Sequence, residues 1–193
     1  MELITSLTNA KVKMALSLQQ KKYRDKYQLF ILEGIRNAEM VIAKNISVQM
    51  CFFTQKAFTN ERGKSILEQL KCPCFEVPEH IYQKISDTQS PQGLMLILPI
   101  QNHNLDDLAT INKSGLYLIL DRLQDPGNIG TIIRTADAMG VKAIICLNGT
   151  ADIYSPKVVR SAMGSLFNLP IITKISEQDL LSLPGVGNKT KNC

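Results

Sequence analysis

Residues 123–140, LQDPGNIGTIIRTADAMG, decide the fold of this chain. They follow residues 115–120 (GLYLIL), an almost wholly apolar segment that is typical of a strand covered on both faces. Pro126 and Gly127 then mark a sharp turn, and apolar residues recur behind them at helical spacing. The pattern predicts a strand, a tight turn and a helix that Asn128 caps, and such units build parallel α/β sheets.

The same alternation of strands and helices extends in both directions from this unit. Toward the C-terminus it predicts a strand at 142–147, a helix from Pro156 to about Met163 and a strand at 169–175. Toward the N-terminus it predicts a basic helix within 10–22, strands at 27–32, 48–53, 74–77 and 93–98, and helices at 35–44, 60–70 and 79–85. Residues 100–114 are polar, so we predict two α/β domains, 1–99 and 115–193, joined by a linker.

Composition excludes several classes of protein. The chain has 193 residues, of which 45% are hydrophobic and 20% charged, and this balance excludes a disordered or a collagen-like chain. Unbroken apolar runs such as residues 94–98 are far shorter than the ~18 residues that a membrane span needs, and residues 1–13 lack a signal-peptide core. We therefore expect a cytoplasmic protein without a membrane partner. Five cysteines without CxxC spacing favour free thiols over a disulfide framework or a metal site.

The positive charge is concentrated near the N-terminus. The formal net charge is +5, and residues 1–36 hold only three acids. Seven cations lie in the same stretch: Lys11, Lys13, Lys21, Lys22, Arg24, Lys26 and Arg36. A polyanion would dock there, although a basic helix that merely faces solvent is an equally ordinary explanation of the charge.

The turn at the start of the central helix is a candidate anion site, because the free N–H groups and the dipole of a helix N-terminus attract negative charge. Arg134 lies nearly two turns along the predicted helix, from where its guanidinium could reach back over the turn. Each residue also has a structural alternative. Arg134 could be an exposed helical arginine, Asn128 a plain cap and Gly130 a packing glycine.

Three stretches carry a resemblance to a known family. The first signature of the SpoU family of RNA ribose 2′-O-methyltransferases closely resembles the residues after LDRLQDPG, namely Asn128, Gly130, Arg134, Thr135, Ala136, Met139 and Gly140. Residues 155–165 (SPKVVRSAMGS) resemble the segment that follows it in the family. The N-terminal stretch SLTNAKVKMALSLQQKKYRDKYQLFILEG and the segment SPQGLMLIL resemble the substrate-binding domain of the rRNA and tRNA branch.

The resemblance implies a ribosomal-protein-like α/β RNA-binding domain followed by a parallel-sheet domain of the knotted SPOUT class. It implies transfer of a methyl group from S-adenosylmethionine to rRNA or tRNA, and a homodimer when the protein is complete. Among the residues of this sequence, it gives catalytic roles to Arg134 and Asn128. Because a guanidinium is a poor proton acceptor, we expect Arg134 to clamp the phosphate and the developing oxyanion. The predicted RNA contacts are Lys21, Lys22, Arg24, Lys157 and Arg160, while the donor-binding residues stay unassigned.

The sequence also departs from the family. Two later signatures that complete the donor site in the family, a Gly-Asn/Glu-rich stretch and a Ser-Leu-Asn stretch, are absent. Residues 185–188 (GVGN) resemble the first of these two signatures only weakly. We therefore expect a family protein that lacks roughly its last quarter and has little activity as given. A non-catalytic RNA-binding protein is the alternative, and a nucleotide-binding α/β enzyme is a third hypothesis. For Glu33 we expect a structural hydrogen-bonding role.

Overall fold

The computed structural model describes residues 1–110 and 115–183, which form two sheets with helices packed against them. The strands are β1 (Glu2–Leu3), β2 (Leu29–Glu33), β3 (Met50–Phe53), β4 (Cys74–Glu76), β5 (Leu94–Pro99), β6 (Tyr117–Leu120), β7 (Ala143–Leu147) and β8 (Ile171–Ile175). The helices are α1 (Ala10–Ser17), α2 (Lys21–Tyr27), α3 (Ile35–Ala43), α4 (Gln55–Phe58), α5 (Glu61–Gln69), α6 (Glu79–Ile85), α7 (Asp107–Thr110), α8 (Pro126–Ala138), α9 (Pro156–Ala162) and α10 (Glu177–Ser182), with a 3-10 turn at Ser165–Phe167.

The first sheet is mixed, with the strand order β1-β4-β3-β5-β2. β4 runs parallel to β1 and β3, whereas β5 runs antiparallel to β2 and β3. The apolar residues of β5 are fully buried because helices cover both of its faces. The sequence predicted the four longer strands within a few residues of their observed bounds.

The second sheet is parallel, with the order β6-β7-β8, as the sequence predicted. Its central strand, β7, is buried along its whole length. The prediction that the first strand is covered on both faces was wrong. Among the described residues β6 is an edge strand, and Leu116 and Ile119 expose 58% and 43% of their surfaces. An apolar segment indicates that a strand tends to be buried, but it does not indicate whether the strand lies at the edge or in the middle of its sheet.

The predicted basic helix is two helices, α1 and α2, separated by residues 18–20. The break is stabilised by Arg24, whose Nη1 donates to the carbonyl oxygens of Leu18 at 2.6 Å and Gln19 at 2.8 Å. Carbonyls at a helix C-terminus lack intrahelical partners, and the guanidinium supplies them. The continuous helix that the sequence predicted is therefore a helix, a turn and a second short helix.

The helix α8 begins earlier than predicted. Its N-cap is Asp125, whose side chain accepts a hydrogen bond from the backbone N–H of Asn128 at 2.7 Å. Pro126 occupies the first turn, where its missing N–H leaves no donor unpaired. The prediction that Asn128 caps this helix was therefore wrong, and its side chain is left for other contacts.

The two sheets share one hydrophobic core. The Phe30 ring on β2 lies 4.8 Å from the ring centroid of Tyr154 and 6.3 Å from that of Phe167, both in the second half of the chain. The same cluster includes core residues of α8 and α9. Of the predicted linker, residues 107–110 form the single turn α7, and residues 111–114 lie outside the described part.

Candidate functional site

The α8–α9 helix pair builds the site that the sequence singled out. A Cβ atom on Gly130 would lie 2.4 Å from Ser161 Cβ, 2.9 Å from the carbonyl oxygen of Val158 and 3.0 Å from the backbone nitrogen of Ala162. A side chain does not fit there, so Gly130 lets the two helices cross in close contact. Gly130 is therefore a packing residue, and its place in the signature is structural.

A cationic side chain lies at each end of this crossing. Lys157, in the first turn of α9, lies with its Cε 3.8 Å from where a Cβ of Gly127 would stand, which places it along the first turn of α8. Arg134 is exposed, and its Nη1 lies 3.0 Å from the sulfur of Met163 at the end of α9. Met163 has a left-handed backbone with φ of 48° and is 57% exposed. The guanidinium thus rests on a soft apolar support with its other donors facing solvent.

Asn128 and Arg134 do not share a face of α8. Six residues of α-helix separate them by about 9 Å along the axis and about 120° around it. Asn128 is exposed in the first turn, and its side-chain amide forms no hydrogen bond with the part of the chain that the structure describes. The geometry therefore pairs Arg134 with α9 and leaves Asn128 at the mouth of the helix.

Arg160 connects the two halves of the chain. Its Nη1 donates to Asp87 Oδ2 at 2.7 Å, in the loop after α6, and both side chains are more than two-fifths exposed. The predicted RNA contact through Arg160 would have to compete with this carboxylate. Asp87 was not foreseen, because 73 residues separate it from Arg160 in sequence.

Glu33 lies beside Arg160, in a small cleft between α6 and α9. Its carboxylate accepts hydrogen bonds from the hydroxyls of Ser86 at 2.8 Å, Thr88 at 3.1 Å and Tyr82 at 3.3 Å. Burial raises the pKa of Glu33 above its ordinary value of 4.5, while the three hydroxyls and the positive charge of Arg160 act in the opposite direction. The carboxylate is thus occupied by structural hydrogen bonds, as the sequence led us to expect.

Arg24 is buried and is not accessible to a ligand. Only 4% of the residue is exposed, and its Nε and Nη2 donate to Asp152 Oδ2 at 2.9 Å and 2.6 Å. With the carbonyls of Leu18 and Gln19 also bound, its donors are engaged inside the protein. The prediction of Arg24 as a phosphate contact was wrong, because the charge is buried between the two halves and paired there.

The neighbouring lysines remain available. Lys21, Lys22 and Lys26 are exposed on α2, on either side of the buried Arg24. Between them, Tyr23 and Tyr27 stack with ring centroids 6.2 Å apart. Sequence reasoning did not single out these two tyrosines, although their spacing of four residues in KKYRDKY places them on one face of a helix.

A cavity of about 290 Å³ opens at the carboxyl ends of β7 and β8, where parallel sheets hold their ligands. The ion pair of Arg24 with Asp152 lines it, and so does that of Lys174 with Asp25 at 3.3 Å. These pairs span the gap between α2 and the second sheet. Within residues 1–110 and 115–183, no group of His, Cys, Asp and Glu side chains is arranged to hold a metal ion, and no helix is long and apolar enough to cross a membrane.

Comparison with known proteins identifies the class. Residues 115–183 match the SpoU rRNA Methylase family, and residues 9–96 match an MRM3-like substrate binding domain. The chain belongs to the SpoU family.

Individual relatives agree with this class. The chain is 34% identical over 174 residues to the 23S rRNA (guanosine(2553)-2′-O)-methyltransferase RlmP of Bacillus subtilis. The alignment covers 90% of this chain and 66% of that protein. It is 34% identical over 160 residues to mitochondrial rRNA methyltransferase 3 of Xenopus laevis, covering 81% of this chain and 38% of that protein. The crystal structure of an rRNA methyltransferase from Sinorhizobium meliloti superposes with a TM-score of 0.81 at 32% identity, covering 93% of this chain and 67% of that one. An AdoMet-bound structure of that enzyme superposes with a TM-score of 0.80.

The chain is shorter than these relatives. It spans just under two thirds of the Bacillus subtilis protein and less than two fifths of the Xenopus laevis protein.

Proposed function

We propose that the protein is an S-adenosylmethionine-dependent RNA 2′-O-methyltransferase that acts on rRNA. The observation that carries the proposal is the exposed guanidinium of Arg134 on the first family signature, which contacts Met163 at the end of α9, while Lys157 lies along the first turn of α8. Family membership supports the reaction class, and the similarity to a 23S rRNA methyltransferase and to a mitochondrial rRNA methyltransferase supports rRNA over tRNA. A cytoplasmic location and a homodimer stay predictions.

The chemistry asks for a group that stabilises charge on the nucleophile. In methyl transfer to a ribose 2′-hydroxyl the oxygen attacks the methyl carbon in line, the carbon–sulfur bond breaks, S-adenosylhomocysteine leaves and the hydroxyl proton passes to water. Negative charge appears on the oxygen as that proton leaves, so the oxygen must be stabilised and held in position. The free donors of Arg134 form a planar fork that suits a phosphate and an adjacent oxyanion. Lys157 adds positive charge at the mouth of α8, and Asn128 offers an amide to the nucleotide from the neighbouring face.

The described residues do not account for the donor. The cavity at the carboxyl ends of β7 and β8 is bordered by the ion pairs of Arg24 and Lys174, and these charges do not suit the flat apolar face of an adenine ring. We therefore place no described residue in contact with S-adenosylmethionine. The roles proposed for Arg134, Lys157 and Asn128 are all on the RNA side of the reaction.

Replacing Arg134 with Lys tests the proposal. The variant keeps a positive charge but loses the planar fork, and a donor aimed at developing charge is typically worth about 10²–10³ in rate. We expect single-turnover transfer of a labelled methyl group to an rRNA fragment, by the complete product of the gene, to slow by that factor. Affinity for the donor should stay unchanged, because the guanidinium acts on the nucleophile.

Arg62→Lys is the matched control, because Arg62 is exposed on α5 and pairs with Glu39 away from the site. It should leave the transfer rate unchanged. A loss below about threefold for Arg134→Lys would contradict the proposed role, since a lost catalytic donor costs far more than that.

RNA binding without catalysis is the second candidate. The observation that favours it is the outer surface of α2, where exposed lysines flank the stacked rings of Tyr23 and Tyr27, because such a surface can bind RNA without a methyl donor. The two candidates differ in one measurement. Salt-sensitive RNA binding with no methyl transfer from the complete product of the gene would support the second and overturn the first.

A further inference from the structure

The outer face of α2 combines aromatic rings with lysines. The rings of Tyr23 and Tyr27 are nearly parallel, with 16° between their planes and centroids 6.2 Å apart. Lys22 Nζ lies 5.8 Å from the ring centroid of Tyr23, and Lys26 Nζ lies 5.3 Å from that of Tyr27. We call Lys22, Tyr23, Lys26 and Tyr27 the α2 ladder.

The α2 ladder is not part of the core. Tyr27 is 40% exposed and Tyr23 is half-buried, whereas the strand aromatics Phe30, Phe52 and Phe53 are fully buried. Exposed aromatic rings are unfavourable in water, and a stacked pair at positions i and i+4 adds only a little to the stability of a solvent-facing helix. A ligand with a flat face and a negative charge would complement both halves of the ladder.

The ladder is held rigidly by the opposite side of the same helix. Arg24 points inward from α2, and its guanidinium joins the carbonyls at the end of α1 to Asp152. The helix is seven residues long and would not be stable alone in water, so this anchor fixes its orientation. The tyrosines are therefore presented in one arrangement before any ligand arrives, which lowers the entropy lost on binding.

Unpaired nucleotides match this chemistry. Each base has a flat π-face that can stack on a tyrosine, and each phosphate has a charge that a nearby ammonium can contact. Bases within a duplex are already stacked on their neighbours and cannot offer these faces. A lysine over an exposed ring forms a weaker contact than a stacked base, so Lys22 and Lys26 can exchange the rings for phosphates when RNA binds.

We propose that the α2 ladder is a stacking site for unpaired nucleotides of the RNA substrate, with Tyr27 and Tyr23 contacting bases and Lys22 and Lys26 contacting phosphates. The proposal rests on the proposed function, because it takes RNA as the substrate. It adds that the front domain recognises a single-stranded loop or bulge, and it identifies the side chains that do so.

The test compares two probes on the 193-residue chain. One is a short fluorescent single-stranded RNA, and the other is an abasic ribose-phosphate chain of the same length and charge. Binding is measured by fluorescence anisotropy. We expect Tyr27→Ala to weaken binding to the RNA by about 5- to 150-fold and to leave binding to the abasic chain unchanged, because only the first probe can stack. Tyr27→Phe keeps the ring and should retain wild-type affinity for both probes.

Phe58→Ala is the matched control, since Phe58 is 38% exposed on α4 and lacks a lysine partner of this kind among the described contacts. It should change neither affinity. Equal losses for the two probes, or no loss with Tyr27→Ala, would overturn the stacking site while leaving RNA binding in place. Failure of the wild-type chain to bind either probe would count against both the stacking site and RNA as the substrate.

Discussion

At the scale of single residues, the partly buried carboxyl group of Glu33 predicts that the free energy of unfolding depends on pH. Burial raises its pKa above 4.5, so the folded state binds this proton more tightly than the unfolded state does. The free energy of unfolding should therefore fall as the pH rises from 4.5 to the raised folded pKa, and stay level above it. The Glu33→Gln variant cannot titrate there, so the wild type should lose stability relative to it across that window.

Urea denaturation at a series of pH values checks this expectation. The matched control is Glu39→Gln, because the guanidinium of Arg62 donates to Glu39 and lowers the pKa of that exposed carboxyl. A lowered folded pKa gives the opposite sign, since its stabilising contribution is lost as the pH falls. Parallel curves for the wild type and Glu33→Gln would contradict the burial of a titrating carboxyl at this position.

Single residues also show where sequence reasoning ended. The cluster of cations was visible in the sequence, but the inward direction of Arg24 depends on Asp152, which lies 128 residues away. The exposed position of Arg134 was predictable from helical spacing, whereas its contact with Met163 required the crossing of two helices. The prediction that Asn128 is the N-cap of α8 was wrong because Asp125 precedes it. Asp125 is an equally good N-cap, and Pro126 favours the first helical position directly after it.

At the scale of secondary-structure elements, the α8–α9 crossing predicts an unusual response to alanine. In an exposed helix, Gly→Ala is stabilising by up to about 1 kcal/mol. At Gly130 the new methyl group would collide with Ser161 Cβ and with two backbone atoms of α9. We expect Gly130→Ala to destabilise the protein by about 1–3 kcal/mol, measured by urea denaturation.

The Gly130→Ala/Ser161→Gly double variant refines this prediction. It removes the 2.4 Å contact but keeps the backbone atoms at 2.9 and 3.0 Å, so only part of the stability should return. Full recovery would show that the side chain of Ser161, and not the backbone of α9, sets the limit on how closely the helices approach.

Helices and strands were largely predictable because hydrophobic periodicity is local. α6 was predicted with its observed bounds, and every strand longer than two residues was anticipated. The split between α1 and α2 was not predictable, because it depends on the Arg24 side chain, which binds the end of α1 from the following helix. The exposure of β6 was missed for a related reason: the position of a strand within a sheet is a property of its neighbours.

At the scale of the whole molecule, the exposed lysines of α2 predict how RNA affinity responds to salt. Each phosphate contact releases counterions, so replacing Lys21, Lys22 and Lys26 with Ala should reduce the slope of log K against log salt by about two to three units. Arg24 is kept, because it is paired internally. Titrations at several salt concentrations measure the slope.

A triple variant of equal charge loss provides the control. Lys44, Lys64 and Lys71 are exposed elsewhere on the front domain, so their replacement by Ala should leave the slope close to that of the wild type. The same reduction in both triple variants would mean that net charge, and not the surface of α2, sets the affinity.

The anchoring of α2 also bears on how the protein is made. At translation rates of roughly 5–20 residues per second, the 128 residues between Arg24 and Asp152 take roughly 6 to 26 s to synthesise. During that interval α2 has emerged without its carboxylate, and the face of Phe30 that later meets Tyr154 is uncovered. Until the loop with Asp152 and Tyr154 has been synthesised, the nascent front half therefore carries the unpaired charge of Arg24 and an apolar surface at Phe30 that a chaperone can bind.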